Sequence, residues 1–248
     1  MLICSVDSSA APASVSLFED GKLIADYYLN TGFTHSQTLM AMTESVLQIS
    51  GKTADDIDLY AVNSGPGSFT GVRIGVSAVK GMAYAQNKPC VEVSTLESMA
   101  YNFLGQHAII YACMDARRQQ IYHALFRVDG DKIERLCDDI AIAIDDIVNE
   151  LPDEDDENIE EIIIAGDGAE LVYTTADNSY VKLAPPHLRF QRASSVALAA
   201  VEKYNRGEVV SCASLTPHYL RLSQAERERN AKLQKEEKEG QSNDSDRM

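Results

Sequence analysis

The feature of this sequence that most constrains its fold is a hairpin-like unit that occurs twice. The matching positions are Asp7 and Asp115, Phe18 and Phe126, and the turns Asp20–Gly21 and Asp129–Gly130. The members of each pair lie 108 or 109 residues apart. Apolar runs joined by Asp-Gly turns predict hairpins. Repetition of one such unit at domain spacing predicts a duplicated α/β fold with two lobes.

An actin-like ATPase (ASKHA) fold fits this duplication, because each of its lobes begins with a hairpin that carries an acidic phosphate loop. Residues 153–157 form an acidic run that we interpret as a solvated surface loop, and the chain beyond Arg227 has too little apolar surface to fold alone. The predicted segments are an N-terminal lobe at 1–104, a C-terminal lobe at 105–213, a closing helical segment at 214–235 and a disordered tail at 236–248.

A glycine-rich motif runs from Ser64 to Gly75, between an alternating strand-like run and a helix-like apolar run. A strand-to-helix turn of this kind collects free backbone N–H groups and a helix N-terminus, which together bind anions. The motif is neither a P-loop nor a G-x-G-x-x-G fingerprint. A tight turn whose glycines serve only close packing explains it equally well. Both interpretations stay open from the sequence.

The loops that follow the duplicated strands predict a nucleotide cleft that is half present. The first loop, Asp7 to Ala10, is small enough for backbone to approach a phosphate, whereas the second carries Arg117 and Arg118 and no glycine. We expect these arginines to occupy the space of a nucleotide, and Asp7 and Asp115 are a candidate carboxylate pair across the cleft. The predicted anion or nucleotide cleft residues are Asp7, Ser8, Ser9, Gly65, Gly67, Ser68, Thr70, Gly71, Arg73, Asp115, Gly166 and Gly168.

Other catalytic and metal-binding patterns are missing from the sequence. No two of the five histidines stand at i, i+4, there is no G-x-S-x-G elbow, and the five cysteines include no C-x-x-C. We therefore predict no catalytic residue, no metal site and no cofactor of its own, in a reduced, cytoplasmic protein. No apolar run reaches membrane-spanning length. The net charge of −16 argues against broad binding of nucleic acid by this chain alone.

The helix predicted after the glycine motif is apolar nearly all round, and a second helix, predicted from Thr34 to Ser50 and ended by Gly51, carries a methionine-rich apolar stripe. A helix that is apolar on every side needs partners on every side, which favours an interface. The methionine-rich stripe is also compatible with an ordinary core.

With these motifs together, the chain resembles the TsaB (YeaZ) family of the bacterial tRNA threonylcarbamoyladenosine pathway. The resemblance covers residues 1 to about 222 and rests mainly on the glycine motif Ser64–Gly75. Further matching segments are Val6–Ser9, His35–Leu39, Asp115–Tyr122 and Pro217–Arg221.

That resemblance implies a degenerate relative of the catalytic subunit TsaD, which holds a metal through two histidines four residues apart and transfers threonylcarbamoyl to adenosine 37 of tRNA. This sequence has His35 but Leu39 four residues later. The family role is that of a non-catalytic partner that forms a heterodimer with TsaD, cooperates with the ATPase TsaE and also forms a homodimer. ATP and metal are then expected on the partners, and tRNA only through the complex.

By the same resemblance, the helices on either side of the glycine motif form the pairing surface. The predicted interface residues are Leu39, Met42, Val46, Val72, Val76, Val79, Met82 and Ala83. Two alternatives remain from the residues: an actin-like ATPase or phosphotransferase with its own nucleotide site, and a peptidase.

Overall fold

The computed structural model describes residues 1–152 and 160–221. The predicted acidic loop at 153–157 and the predicted tail at 236–248 lie outside the described residues. Within the described part, the chain forms two α/β lobes, and each lobe is built on one sheet of parallel and antiparallel strands. No helix in these two ranges is long and apolar enough to cross a membrane.

The first lobe is built on a sheet with the strand order β3-β2-β1-β4-β5. Its strands are β1 (Leu2–Asp7), β2 (Ala13–Glu19), β3 (Lys22–Leu29), β4 (Leu59–Gly65) and β5 (Cys90–Ser94). Its helices are α1 (His35–Ser50) and α2 (Phe69–Gln86). β1 is antiparallel to β2 and parallel to β4, and it is buried along its whole length. A continuous apolar run is what a strand covered on both faces requires.

The second lobe repeats this arrangement. Its strands are β6 (His107–Asp115), β7 (Gln120–Asp129), β8 (Lys132–Arg135), β9 (Ile140–Ala143), β10 (Ile162–Ala165) and β11 (Val181–Leu183). Its helices are α4 (Ile144–Asn149), α5 (Ala169–Ala176) and α6 (Pro186–Arg189). β6 takes the place of β1, because it lies between antiparallel β7 and parallel β10 in the order β11-β10-β6-β7-β8. The predicted duplicated actin-like fold is confirmed, and β9 is an addition that pairs with β7.

Two helices fill the layer between the sheets. α3 (Thr95–Ala100) packs on β6 and β7 of the second sheet, whereas α7 (Ala193–Asn205) packs on β1 and β2 of the first. Val196 and Ala200 of α7 share a core with Ile3 of β1. The predicted second lobe at 105–213 is therefore wrong at its end, because the apolar face of α7 is buried against the first sheet.

The described part of the predicted closing helical segment, residues 214–221, is not helical. Its backbone amides bond to other elements: the amide of Thr216 donates to Glu92 Oε1 and that of His218 to the carbonyl of Ser64. Pro217, between them, has no amide hydrogen to continue a helix. The remainder of that prediction, 222–235, falls beyond the described chain.

Candidate functional sites: the interlobe cleft and the helical face

A cavity of about 660 Å³ lies between the two lobes, where the first loop and the start of α2 face the end of β6. Six of the predicted cleft residues line it: Ser9, Gly67, Ser68, Thr70, Gly71 and Asp115. The other six do not: Asp7, Ser8, Gly65, Arg73, Gly166 and Gly168. Tyr219 and Arg221, which were not among the predicted cleft residues, also line the cavity. The cleft exists, but only half of its predicted lining is correct.

Asp7 is fully buried beneath the first loop and is hydrogen-bonded to it. Its Oδ1 accepts hydrogen bonds from Ser9 Oγ at 2.6 Å and from Asn63 Nδ2 at 2.8 Å. Burial raises the pKa of Asp7, and these hydrogen bonds oppose the rise. The candidate carboxylate pair of Asp7 and Asp115 is therefore wrong, because Asp7 is enclosed in the first lobe and does not face the cavity.

The glycine motif binds the protein's own backbone. The amide of Ser68 donates to the carbonyl of Ser9 at 2.7 Å, and Ser8 Oγ donates to the carbonyl of Gly71 at 2.8 Å. A Cβ at Gly67 would lie 2.4 Å from the Ser9 oxygen, and one at Gly71 would lie 2.1 Å from the Ser8 oxygen. Glycine is required here because the first loop rests directly on the start of α2. The amide of Ser68, one of the backbone N–H groups of this turn, is therefore already bonded to the protein.

The second loop turns its arginines outward. Arg117, Arg118 and Gln119 all have positive φ angles, of 65°, 58° and 58°. The amide of Arg117 donates to Asp115 Oδ1 at 2.7 Å, and the Arg117 side chain is 86% exposed. Arg117 still lies among the residues that line the cavity, whereas Arg118 does not. The expectation that both arginines occupy the space of a nucleotide is therefore wrong for Arg118.

The second glycine turn also serves close packing. A Cβ at Gly166 would lie 1.9 Å from the carbonyl oxygen of Cys113, and one at Gly168 would lie 2.9 Å from the amide of Asp115. Between them, Asp167 Oδ1 accepts a hydrogen bond from the Asp115 amide at 3.1 Å. Burial raises the pKa of Asp167 to about 6. Asp115 therefore has Asp167 as its acidic neighbour within the second lobe.

Sequence reasoning missed a buried cysteine and histidine that the register of β6 and β7 brings together. Cys113 Sγ lies 3.7 Å from His123 Nδ1, which also lies 3.1 Å from the carbonyl oxygen of Ala112. Burial raises the pKa of Cys113 and lowers that of His123 to about 4. Both groups are thus held neutral, which is the opposite of what a thiolate–imidazolium nucleophile needs. No sequence motif links these two residues, because only the pairing of β6 with β7 brings them together.

His35, at the start of α1, contacts the backbone of the first loop. His35 Nε2 lies 2.7 Å from the carbonyl oxygen of Ala10, and Leu39, one turn later, is buried in the core. Over residues 1–152 and 160–221, no three His, Cys, Asp or Glu side chains form a group that could hold a metal ion.

The predicted interface residues belong to the interior of the first lobe. Seven of them are at most 3% exposed within its core: Leu39, Met42, Val46, Val72, Val76, Val79 and Ala83. Met82 is half-buried against the same core. Their assignment as surface residues is wrong, because α1 and α2 use these side chains to cover the first sheet.

The outward side of the same two helices carries a different set of residues. We call six of them the helical face: Met40, Ala41 and Ile49 on α1 and Ser77, Gly81 and Tyr84 on α2. The polar residues Gln37, Glu44 and Gln48 of α1 are exposed as well. Ile49 is 80% exposed and Tyr84 is 79% exposed. A Cβ placed on Gly81 would meet no atom within 4 Å. The face therefore presents isolated large apolar side chains beside small residues that allow close approach.

Comparison with known proteins agrees with this architecture. The TsaD family model, described as tRNA N6-adenosine threonylcarbamoyltransferase, matches residues 31–229. The tRNA threonylcarbamoyladenosine biosynthesis protein TsaB of Bacillus subtilis is 29% identical over 233 residues, which cover 91% of this chain and 96% of the relative.

The protein of the same name in Escherichia coli is 29% identical over 223 residues, which cover 89% of this chain and 95% of the relative. The solved structure of YeaZ from Pseudomonas aeruginosa has a TM-score of 0.75 and 25% identity, and the match covers 88% of this chain and 99% of that one. From the family match, the near full-length relatives and the shared fold, the chain belongs to the TsaB/YeaZ family of TsaD-related proteins.

Proposed function

We propose that this chain is a non-catalytic partner subunit required for threonylcarbamoyl modification of adenosine 37 in tRNA. It pairs with a TsaD-like catalytic subunit and cooperates with a TsaE-like ATPase. The observation that carries the proposal is the near full-length match to two relatives named for tRNA threonylcarbamoyladenosine biosynthesis. The net charge of −16 supports a role in which the other subunits supply most of the tRNA contacts.

The helical face is the surface that we assign to this pairing, in the heterodimer and in a homodimer. Interfaces are anchored by a few large side chains, often aromatic, surrounded by residues that exclude water. Tyr84 is such an anchor, and its hydroxyl keeps it compatible with water in the unpaired chain. Gly81, one turn before it, leaves room for a partner backbone or side chain.

Pairing is tested by two matched substitutions in the purified chain. Tyr84→Arg puts a bulky charge on the helical face, and Tyr180→Arg does the same on the second lobe, where Tyr180 is 47% exposed. Both variants are expected to fold. Tyr84→Arg should weaken binding to a TsaD-like subunit by about 30-fold or more in calorimetry, as loss of an anchor does. Tyr180→Arg should bind normally. Equal affinity of both variants would exclude the helical face.

A second candidate function is an ATPase or phosphotransferase. It is favoured by one observation: the cleft, with Arg117 on its lining, has a volume of about 660 Å³, within the usual range of small-molecule pockets. Against it, Ser68 and the first loop are already bonded to each other. ATP turnover by the purified chain, abolished by Asp115→Asn, would establish this function and displace the first proposal.

A further inference from the structure

The C-terminal part of the described chain crosses the cleft as an extended segment. We call residues 215–221, from Leu215 to Arg221, the strap. It begins with Leu215, which is fully buried in the core of the first lobe. The next residue, Thr216, donates its amide to Glu92 Oε1 on β5 at 2.7 Å. The strap is therefore rooted in the first lobe at its start.

The middle of the strap rests on the glycine motif. The amide of His218 donates to the carbonyl of Ser64 at 2.7 Å. A Cβ on Gly65 would lie 2.3 Å from the carbonyl oxygen of His218, and Gly65 has a φ of +123°. Because Gly65 has no side chain, the backbone of the strap can lie directly against it. This role differs from the predicted one at an anion site.

The strap is next held by a stack on the start of α2. The ring of Tyr219 stacks on Phe69 with centroids 4.4 Å apart. Arg73 Nε donates to the Tyr219 hydroxyl at 2.7 Å, and the Arg73 guanidinium lies 3.9 Å from the centre of the Phe69 ring. Arg73, predicted as a cleft residue, therefore holds the strap.

The strap then reaches the second lobe. Arg221 Nη1 donates to the carbonyl of Ala116 at 2.8 Å. Ala116 lies in the second loop, just before the three residues with positive φ. The side chains of Tyr219 and Arg221 line the cavity between these two attachments. A segment rooted in one lobe is thus tied to a strained loop of the other, directly across the mouth of the cleft.

We propose that the strap is a latch that holds the two lobes together at the mouth of the cleft. Release of Tyr219 and Arg221 frees the second loop and opens the cleft, whereas the first-lobe root at Leu215 and Thr216 stays in place. The latch is a property of this chain by itself, so it stands or falls independently of the proposed role in tRNA modification.

Hydrogen–deuterium exchange of the isolated full chain tests the latch through the amides of the second loop. In the closed form, the amide of Ala116 bonds to the carbonyl of Gln120 and that of Arg117 to Asp115 Oδ1. Arg221→Ala removes a hydrogen bond from a charged donor, and such bonds stabilise by enough to predict an increase in exchange of about tenfold or more at these amides. Tyr219→Ala should raise exchange at the same amides and at the start of α2.

The control is Tyr204→Ala on α7, because Tyr204 is 41% exposed and Tyr219 is 40% exposed. This variant should leave exchange in the second loop unchanged. Unaltered exchange at Ala116 and Arg117 in both strap variants would overturn the proposal. A uniform rise that includes the buried strand β1 would overturn it too, because the strap would then be part of the global fold and not a latch.

Discussion

Two glycines of α2 provide a direct test of why the glycine motif has its sequence. Gly71 and Gly81 lie in the same helix, and both have ordinary helical backbone angles. A Cβ at Gly71 would lie 2.1 Å from the backbone oxygen of Ser8, whereas one at Gly81 would meet nothing within 4 Å. Replacing each by alanine therefore adds the same methyl group to two different surroundings.

The expected magnitudes follow from these distances. Alanine in place of a helical glycine stabilises by about 0.5 to 1 kcal/mol, which is the expected gain for Gly81→Ala. At Gly71 the backbone of the first loop must move, and overpacking of this kind costs about 1 to 3 kcal/mol. Loss of the hydrogen bond from Ser8 Oγ adds about 1 kcal/mol. The net expectation for Gly71→Ala is a loss of about 1 to 3 kcal/mol.

Thermal unfolding followed by circular dichroism measures both changes. For a protein of this length, 1 kcal/mol shifts Tm by about 2 to 4 °C. We expect Tm to fall by about 2 to 12 °C in Gly71→Ala and to rise by about 1 to 4 °C in Gly81→Ala. If the two variants shift Tm equally, the first loop does not rest on α2 as described, and the packing explanation of the motif fails.

Two further predictions concern ionisation. Burial raises the pKa of Asp167 to about 6 from its ordinary 3.8. Between these two pH values the folded state keeps the proton that the unfolded state loses. The free energy of unfolding therefore falls as the pH rises through this window. Asp167→Asn should therefore be more stable relative to wild type at pH 7 than at pH 4, by on the order of 2 kcal/mol in urea unfolding; a difference independent of pH would contradict this. Buried thiols with raised pKa values should also resist alkylation in the native protein, so mass spectrometry should find Cys137 and Cys212 modified before Cys4, Cys90 and Cys113. Early native-state modification of Cys113 would contradict the burial of its side chain.

Local sequence signals predicted the parts of the fold that depend on local chemistry. The turn at Asp20 and Gly21 has the positive φ angles, of 48° and 83°, that an Asp-Gly hairpin signal predicts. Gly51 ends α1 in the left-handed conformation, with a φ of 67°. The repeated order of strands followed from the repeated hairpin, because sequential strands with short turns pair with each other.

The sequence did not predict which side of a helix faces outward when both sides are apolar. Val76 and Tyr84 lie on α2, yet one is buried and the other is 79% exposed. Small residues such as Ser77 and Gly81 form the outer side, and hydrophobicity alone does not distinguish this pattern from a second buried face. The same ambiguity hid the packing of α7 on the first sheet.

Contacts between distant parts of the chain were also beyond sequence patterns. Arg73 and Tyr219 are separated by 146 residues, and Arg221 and Ala116 by 105. The exposure of Arg117 and Arg118 depends on three successive residues in the left-handed conformation. Arginine and glutamine disfavour that conformation, so the sequence does not predict it. The lining of the cleft could therefore not be predicted from the sequence.

The central claim is tested most directly by reconstituting tRNA modification with TsaD-like and TsaE-like subunits and a supply of threonylcarbamoyl-adenylate, with and without this chain. We predict that adenosine 37 is modified only when the chain is present. The Tyr84→Arg variant should fail to support this modification, whereas the Tyr180→Arg variant should support it fully. Full modification without the chain, or transfer by the chain alone, would contradict the assignment of a non-catalytic partner subunit.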